Sequence, residues 1–499
     1  MAKVVSVGGV RRMARKERER NRWIPINHLY LAGVVTLLLS LTMNMVMFYR
    51  FQSLYKVRGR SSEGDPTVGA SEMGEVPPEA LLLSPHHDDV RSSSNGSFCA
   101  HQDGMDHVCL ADEEHAGASS DGAPQQNGST TTDCHSIVIN LDHGDPTMYE
   151  PFWRAMEETS SIVIRSWQAM SYFSPAGSIC WFMEPRLARE IVRLHNLVGN
   201  ARTDGWHIVV GTGSTQLFQA ALYALSPQDS VEAISVVSAA PYYSSYPTVT
   251  DFLRSGLYRW AGDAHSFDAN TPYIELVCSP NNPDGFLREA VVNKETGSTI
   301  HDLAYYWPQY TPITTTASHD IMLFTFSKIT GHAGTRIGWA LVRDRHIAEK
   351  MTKFVELNTI GVSKDSQLRA AQILAAISDG YELPTHTEVG RFFDYGRRLM
   401  AERWERLRQV VQSADRFSLP DFPSANCSFT GQKTRFLPAF AWLRCEGKDK
   451  VDCQDFLRGH KILTRSGKHF GWGIEYVRVS MLDRDENFDL FTRRLTFIR

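Results

Sequence analysis

Two metal-binding signatures are missing from this chain: it has no Cys-x-x-Cys pair and no His-Glu-x-x-His. No metal site is therefore expected. Cysteine itself is sparse, at 8 in 499 residues, which excludes a disulfide-dense scaffold. A strong charge of one sign is lacking too. The formal net charge of −4 offers no electrostatic footprint for nucleic acid. What is present, 42% hydrophobic and 22% charged residues, is the make-up of a globular protein long enough for two or three domains and a large core.

Charge is absent altogether from one stretch. Leu29–Tyr49 is apolar apart from Thr36, Ser40, Thr42 and Asn44. Its length, on the order of 20 residues, suffices to span a bilayer. Lys3, Arg11, Arg12, Arg15, Lys16, Arg18, Arg20 and Arg22 precede it, and the fewer positives Arg50, Lys56, Arg58 and Arg60 follow. That bias places the N-terminus in the cytosol and the rest of the chain in a lumen. The basic region and the apolar run are both too long for a cleaved signal peptide.

The expected organisation is a basic cytosolic tail (1–27), a transmembrane signal anchor (28–50), a flexible linker (51–135), an N-terminal arm with a large domain (136–355) and a small C-terminal domain (356–499). The linker is rich in Ser, Gly, Pro, Asp and Glu and poor in branched apolar residues, so little core can form there. Cys99, Cys109 and Cys134 fall in or beside it, an odd number that cannot close among themselves. The sequons at Asn95, Asn127 and Asn426 are compatible with a lumenal body.

From His135 onward short apolar runs alternate with longer segments. His207–Val210, Val231–Ala239, Tyr273–Cys278, Thr299–Ala304, Ile321–Phe326 and Ile337–Val342 are strand candidates. This pattern predicts an α/β domain with a mostly parallel sheet. Beyond about Val355 the character changes. Leu368, Ala371, Leu374 and Ile377 define a helical face over Asp365–Ser378, and Arg397–Val411 is a second amphipathic helix. With strands at Ala439–Leu443 and Tyr476–Met481, this part is expected to be a smaller α+β domain. Phe152, Trp153, Trp181 and Phe182 are expected mainly in core packing.

Four local signals carry chemistry. In Gly211-Thr212-Gly213-Ser214-Thr215, glycines let the backbone approach a phosphate at a helix N-terminus. The loop does not match the Gly-x-x-x-x-Gly-Lys-Ser pattern of triphosphate sites. Asn281-Asn282-Pro283-Asp284-Gly285 is a turn that sets an amide at a strand end. Asp302 and Tyr305 follow a β-rich run, where a carboxylate is costly unless paired. A pyridinium nitrogen would pair it, and Tyr305 could reach the neighbouring ring oxygen. Lys328 ends an apolar run and enters a Gly-rich loop, with Arg336 eight positions on. That suits a Schiff-base lysine beside an anion. Arg336 and Arg478 are candidate clamps for a phosphate and a carboxylate. Taken singly, a turn, a capped helix or a surface salt bridge also accounts for each.

Together these stretches resemble the fold-type I pyridoxal-phosphate enzymes, and within them the plant tryptophan aminotransferase-related and alliinase group. The matching segments are Asn140–Tyr149, Val210–Leu217, Ser279–Gly285, His301–Pro308 and Thr325–Trp339. The resemblance implies a mostly parallel seven-stranded sheet in the large domain. It implies that Lys328 bonds to pyridoxal 5′-phosphate, Asp302 holds the pyridine nitrogen, and Asn282 and Tyr305 contact the ring hydroxyl. Tyr243 would stack on the ring, with Tyr242 as its rival. Thr212, Gly213, Ser214, Thr325 and Arg336 would hold the phosphate. Gly144 and Arg478 would lie near the substrate carboxylate, and Tyr172 would reach a phosphate in the partner of a homodimer.

The implied activity is transfer of the amino group of L-tryptophan to a 2-oxo acid such as pyruvate, giving indole-3-pyruvate in auxin synthesis. The implied setting is the endoplasmic reticulum membrane, crossed once. The alternatives are a carbon–sulfur lyase acting on cysteine sulfoxides and an inactive membrane-anchored scaffold. Alliinase-type relatives carry a Cys-rich module before the catalytic part. Cys99, Cys109 and Cys134 do not supply it, which favours the aminotransferase branch.

Overall fold

The computed structural model describes residues 137–174, 177–227, 232–268, 270–292, 294–383, 390–447 and 451–498. The expected tail, membrane span and linker lie outside these residues. Among the described residues no helix is long and apolar enough to cross a membrane.

The chain enters the fold through a two-residue strand, β1 (Ile139–Asn140). Seven strands then build the large sheet: β2 (His207–Gly211), β3 (Ile234–Ser238), β4 (Tyr258–Asp263), β5 (Tyr273–Cys278), β6 (Gly297–Asp302), β7 (Ile321–Thr325) and β8 (Gly338–Val342). Their order across the sheet is β2-β8-β7-β6-β5-β3-β4. Neighbours run parallel except at β8, which is antiparallel to both β2 and β7. Every residue of β3, β5, β7 and β8 is buried. A parallel sheet covered on both faces requires that, and it explains why these strands are unbroken apolar runs.

The topology gathers one edge. In parallel α/β sheets ligands sit at the carboxyl ends of the strands. Here the loops after β2, β3, β5, β6 and β7 all leave from that edge. Because β8 runs the other way, the segment that enters it, with Arg336, starts there too.

The second sheet is antiparallel, with order β14-β15-β12-β9. It comprises β9 (Phe417–Ser418), β12 (Phe440–Cys445), β14 (Arg465–Ser466) and β15 (Tyr476–Ser480). Arg478 of β15 pairs with Trp442 on one side and Arg465 on the other. Between β9 and β12 stands a separate hairpin of β10 (Ser424–Cys427) and β11 (Gln432–Arg435). β1 pairs in parallel with β13 (Ile462–Leu463). The residues just after β1 are thereby held against the second sheet, where Ser480 donates its N–H to the Leu141 carbonyl at 2.9 Å.

The two expected helices run longer than their apolar faces, over Lys364–Glu382 and Phe392–Ser413. In the first, Ala371, Leu374 and Ile377 are buried, but Gln367 takes the innermost place instead of Leu368. The Gln367 side chain is fully bonded there, donating to Phe182 O and Val362 O at 3.0 Å each and accepting from Glu184 N at 2.8 Å. The boundary expected after residue 355 falls within the helix Arg345–Thr359.

Candidate active site

At the gathered edge lies a cavity of about 190 Å³. Asp145, Ser214, Tyr243, Asn282, Asp302, Tyr305, Thr325, Lys328 and Arg336 are among its lining residues. Residues up to 191 positions apart in sequence, from Asp145 to Arg336, therefore meet in one small space.

Lys328 reaches it through a tight strand-to-helix turn. β7 stops at Thr325, whose hydroxyl accepts from Ser327 N at 3.3 Å and caps the short helix Phe326–Ile329. Tyr310 donates to the Lys328 carbonyl at 2.9 Å and Gln309 to the Ile329 carbonyl at 3.0 Å, so the helix has little freedom. Lys328 Nζ donates to the Gly144 carbonyl. Burial of the amine lowers its pKa to about 8; Asp145 opposes that shift, while Arg478 and Arg336 add to it.

Asp302 ends β6. Its Oδ2 accepts from the Tyr246 hydroxyl at 3.0 Å and its Oδ1 from Ala304 N at 3.2 Å. Burial raises the pKa of its carboxyl. No ion pair to Asp302 is present among the described residues. A cationic ring nitrogen is the kind of partner this carboxylate lacks.

Asn282 is 3% exposed and accepts from Arg478 Nη1 at 3.1 Å through its Oδ1. With its oxygen so engaged, Asn282 lines the cavity with an amide whose nitrogen is left to donate. Tyr305 is buried beside it, which pushes its phenol pKa well up.

The opposite end suits an anion. Gly213 has φ +106°, and a Cβ there would lie 2.7 Å from Arg336 Nη2. A Cβ at Gly338 would lie 2.6 Å from Ser214 N. Both glycines thus keep the N-terminus of the helix Ser214–Leu225 open beside a guanidinium. Arg336 donates to Ala333 O at 3.0 Å, Thr212 O at 3.3 Å and Ser327 Oγ at 3.4 Å.

Arg478 is 4% exposed and lies between two rings, 4.2 Å from the Phe440 centroid and 5.3 Å from that of Phe470. Its Nη2 donates to the Asp142 carbonyl at 2.5 Å, while its Nε is buried without a partner among the described residues. Burial, and then Arg465, lower its pKa to about 10. Gly144 and Arg478 do not line the cavity itself; each touches a residue that does, Lys328 and Asn282 respectively. A Cβ at Gly144 would meet Phe440 Cζ at 2.9 Å and Lys328 Nζ at 3.3 Å.

The residues fit pyridoxal phosphate by their donor and acceptor types. A carboxylate without a cation, an amide, a tyrosine ring, a buried amine and a basic anion cradle line one cavity. Thr212 and Gly213 frame that cradle through their backbone; Thr325 lines it, with its hydroxyl already engaged. Tyr172 is 66% exposed and is not brought to the cavity of its own chain. Phe152, Trp153, Trp181 and Phe182 pack in or against the core.

Sequence reasoning missed Tyr246, Ser327, Cys278 and Asp145. Ser327 adjoins the lysine and had a local signal. Tyr246 stands 56 positions from the Asp302 it contacts, and no spacing rule would have paired them.

Residues 139–499 match the family model described as Allinase. Tryptophan aminotransferase-related protein 2 of Oryza sativa subsp. japonica is 63% identical over 394 residues, covering 77% of this chain and 76% of that one. The protein of the same description from Arabidopsis thaliana is 59% identical, covering 72% of this chain and 81% of that one. An alliin lyase of Allium cepa is 34% identical, covering 75% and 80%. Among solved structures, an aminotransferase from Staphylococcus aureus aligns with TM-score 0.52 at 18% identity, covering 74% of this chain and 96% of that one. Escherichia coli YbdL, described as having a methionine aminotransferase function, aligns with TM-score 0.51 at 16% identity, covering 75% and 100%. The two alignments show a shared fold.

Proposed function

Since the chain belongs to the alliinase family of pyridoxal-phosphate-dependent enzymes, we propose that it transfers the amino group of L-tryptophan to a 2-oxo acid, pyruvate foremost. The product would be indole-3-pyruvate, a step toward auxin. The observation that carries the reading is the placement of a buried amine, Lys328, and a buried carboxylate without a cation, Asp302, in one cavity. Identity of 63% and 59% to proteins described as tryptophan aminotransferase-related supports the branch and the substrate.

In this reading Asp302 holds the cofactor's pyridine nitrogen, and Asn282 and Tyr305 its ring hydroxyl. Tyr243 covers the ring face. Ser214, Ser327, Thr325, Arg336 and the Thr212–Gly213 backbone hold the phosphate. When bound, the cofactor supplies a sink for the electrons left at the substrate's Cα. The chain's own residues supply the rest. Arg478, with Gly144 beside it, orients the substrate carboxylate. Lys328 Nζ takes the Cα proton as general base; a pKa near 8 keeps a useful fraction of the amine neutral at physiological pH. Phe440 and Phe470 are buried against Arg478 and hold its guanidinium in place as the carboxylate anchor.

Five large apolar side chains stand out on one segment of the described chain: Val163, Trp167, Met170, Tyr172 and Phe173 are all at least 64% exposed. Such a strip supports a homodimer in which Tyr172 reaches the partner's phosphate site. The apolar run Leu29–Tyr49 supports anchorage in the endoplasmic reticulum membrane, with the catalytic body in the lumen.

The family match and 34% identity to an alliin lyase favour a second reading, carbon–sulfur cleavage at the same site. Purified protein incubated with tryptophan plus pyruvate, and separately with a cysteine sulfoxide, distinguishes the two. Indole-3-pyruvate is the expected product. Pyruvate from the sulfoxide, with no indole-3-pyruvate from tryptophan, overturns the aminotransferase reading.

A further inference from the structure

We propose that Asn426 is an N-glycan acceptor on the catalytic body. The inference rests on the lumenal placement proposed above, and two further observations bear on it.

The first is local. Asn426-Cys427-Ser428 is a sequon on β10, in a two-stranded hairpin. Cys427 is buried, 3% exposed, and its Sγ accepts from Ile313 N at 3.3 Å. Side chains alternate along a strand, so its neighbour Asn426 points the other way and is exposed. Asn426 stands opposite Lys433 of β11, which is exposed as well. A sugar on Asn426 would meet water, with no core side chain to displace.

The second is remote from the sequon. Cys445, at the end of β12, forms a disulfide with Cys453, the first residue of the helix Cys453–Gly459. Disulfides persist in oxidising compartments and are rare in the cytosol. N-glycan transfer takes place in that same class of compartment. One folded body therefore carries a bond and an acceptor that call for the same side of the membrane.

Ser428 of the sequon is itself held in the folded hairpin. Ser428 Oγ donates to the Ile313 carbonyl at 3.1 Å, and Ser428 N donates to the same oxygen at 2.8 Å. The hydroxyl that a transferase must recognise is thus engaged in the folded hairpin, and the proposal takes transfer to occur before this segment docks. In the reaction a bond forms between Asn426 Nδ2 and C1 of a sugar. The C1–O bond to a polyprenyl diphosphate donor breaks, the diphosphate leaves, and Nδ2 gives up one proton. No electrons are exchanged. The glycan would shield the hairpin's free backbone edge from pairing with other chains.

The test is expression of the full chain in a eukaryotic cell with Asn95→Gln and Asn127→Gln, leaving one sequon. One glycan's shift in mobility is expected. Peptide N-glycosidase should remove it, Ser428→Ala should abolish it and Ser428→Thr should keep it. Asn426→Gln should retain wild-type activity, since it touches nothing in the cavity. No shift in the double variant, from a wild-type chain that does shift, overturns the assignment to Asn426 and leaves the lumenal placement standing. If the wild type is unshifted too, protease treatment of sealed microsomes decides. Digestion of the body overturns the lumenal placement and this proposal together; protection overturns Asn426 alone.

Discussion

Arg478 Nη1 donates to Asn282 Oδ1 at 3.1 Å, so one hydrogen bond joins the second sheet to the loop that follows β5 of the large one. The group proposed for the substrate carboxylate and the group proposed for the ring hydroxyl thus set each other's orientation. Asn282→Ala removes a ring donor and leaves a buried guanidinium short of an acceptor. A buried group left unsatisfied costs roughly 1–3 kcal/mol. A fall in kcat/KM of about 10- to 100-fold is expected, with a shifted visible spectrum of the bound cofactor. Steady-state kinetics and absorbance titration check both; an unchanged spectrum would separate Asn282 from the ring.

Gly144→Ala places a methyl 2.9 Å from Phe440 Cζ and 3.3 Å from Lys328 Nζ. The ring and the lysine must both give way. Displacements of about 1 Å near reacting groups cost on the order of 100-fold. The variant should bind pyridoxal phosphate normally by fluorescence titration and lose most of its turnover. Wild-type kcat would show that Gly144 does not control the lysine.

Lys328 in the cofactor-free protein has a pKa of about 8, below its ordinary 10.5, because burial disfavours the charged amine. Between those values the unfolded chain binds the proton and the folded chain does not. Stability therefore rises with pH across that window. Lys328→Met should flatten this rise in denaturant titrations of the apo-protein, and a slope equal to wild type would contradict the assignment. The same variant should lose about 10²- to 10⁴-fold or more in transamination, the range of a general base.

His143 Nε2 lies 3.4 Å from Asp483 Oδ2, and the hydrogen bond to that carboxylate, the strongest influence on the ring, raises the His143 pKa above its ordinary 6.5. Here the sign is reversed. The stabilisation is fully present below the unfolded value and is lost as pH rises through the higher folded one. His143 is 34% exposed, so the contribution is small, about 1 kcal/mol or less. His143→Gln should lower the melting temperature at pH 6 and have little effect at pH 8.5. Equal losses at both would point to packing alone.

The strands that sequence revealed best are apolar runs with sharp ends, at the sheet's edge as in β2 or inside it; the fully buried β3 was drawn three residues early because Val231 extends its run. β5 was delimited to the residue, and β2, β7 and β8 within one or two. β4 escaped notice because Arg259 is exposed and Trp260 half-buried, which breaks the apolar run at the sheet's edge. β7 was drawn one residue too long because Phe326 is as apolar as its neighbours; the Thr325 cap, a hydrogen bond, decides where the strand ends. Lys328, Asp302, Asn282 and Arg336 were legible through their loops and the family resemblance. Tyr246 and Asp145 were not, since only folding brings them to the cavity. Leu368 failed as a core residue for a related reason: Gln367 can be buried when all its polar atoms are bonded, a cancellation that hydrophobicity does not record.

β1 is only two residues long, yet the chain's path to everything upstream runs through it. Ile139 N bonds to Lys461 O and Leu141 N to Leu463 O, both at 2.9 Å, and Gly144 follows three residues later. Any pull on the chain upstream of the catalytic body would load these two bonds before any other part of the sheet. The pairing that fixes β1 to β13 therefore also sets the course of the chain to the carbonyl that holds Lys328.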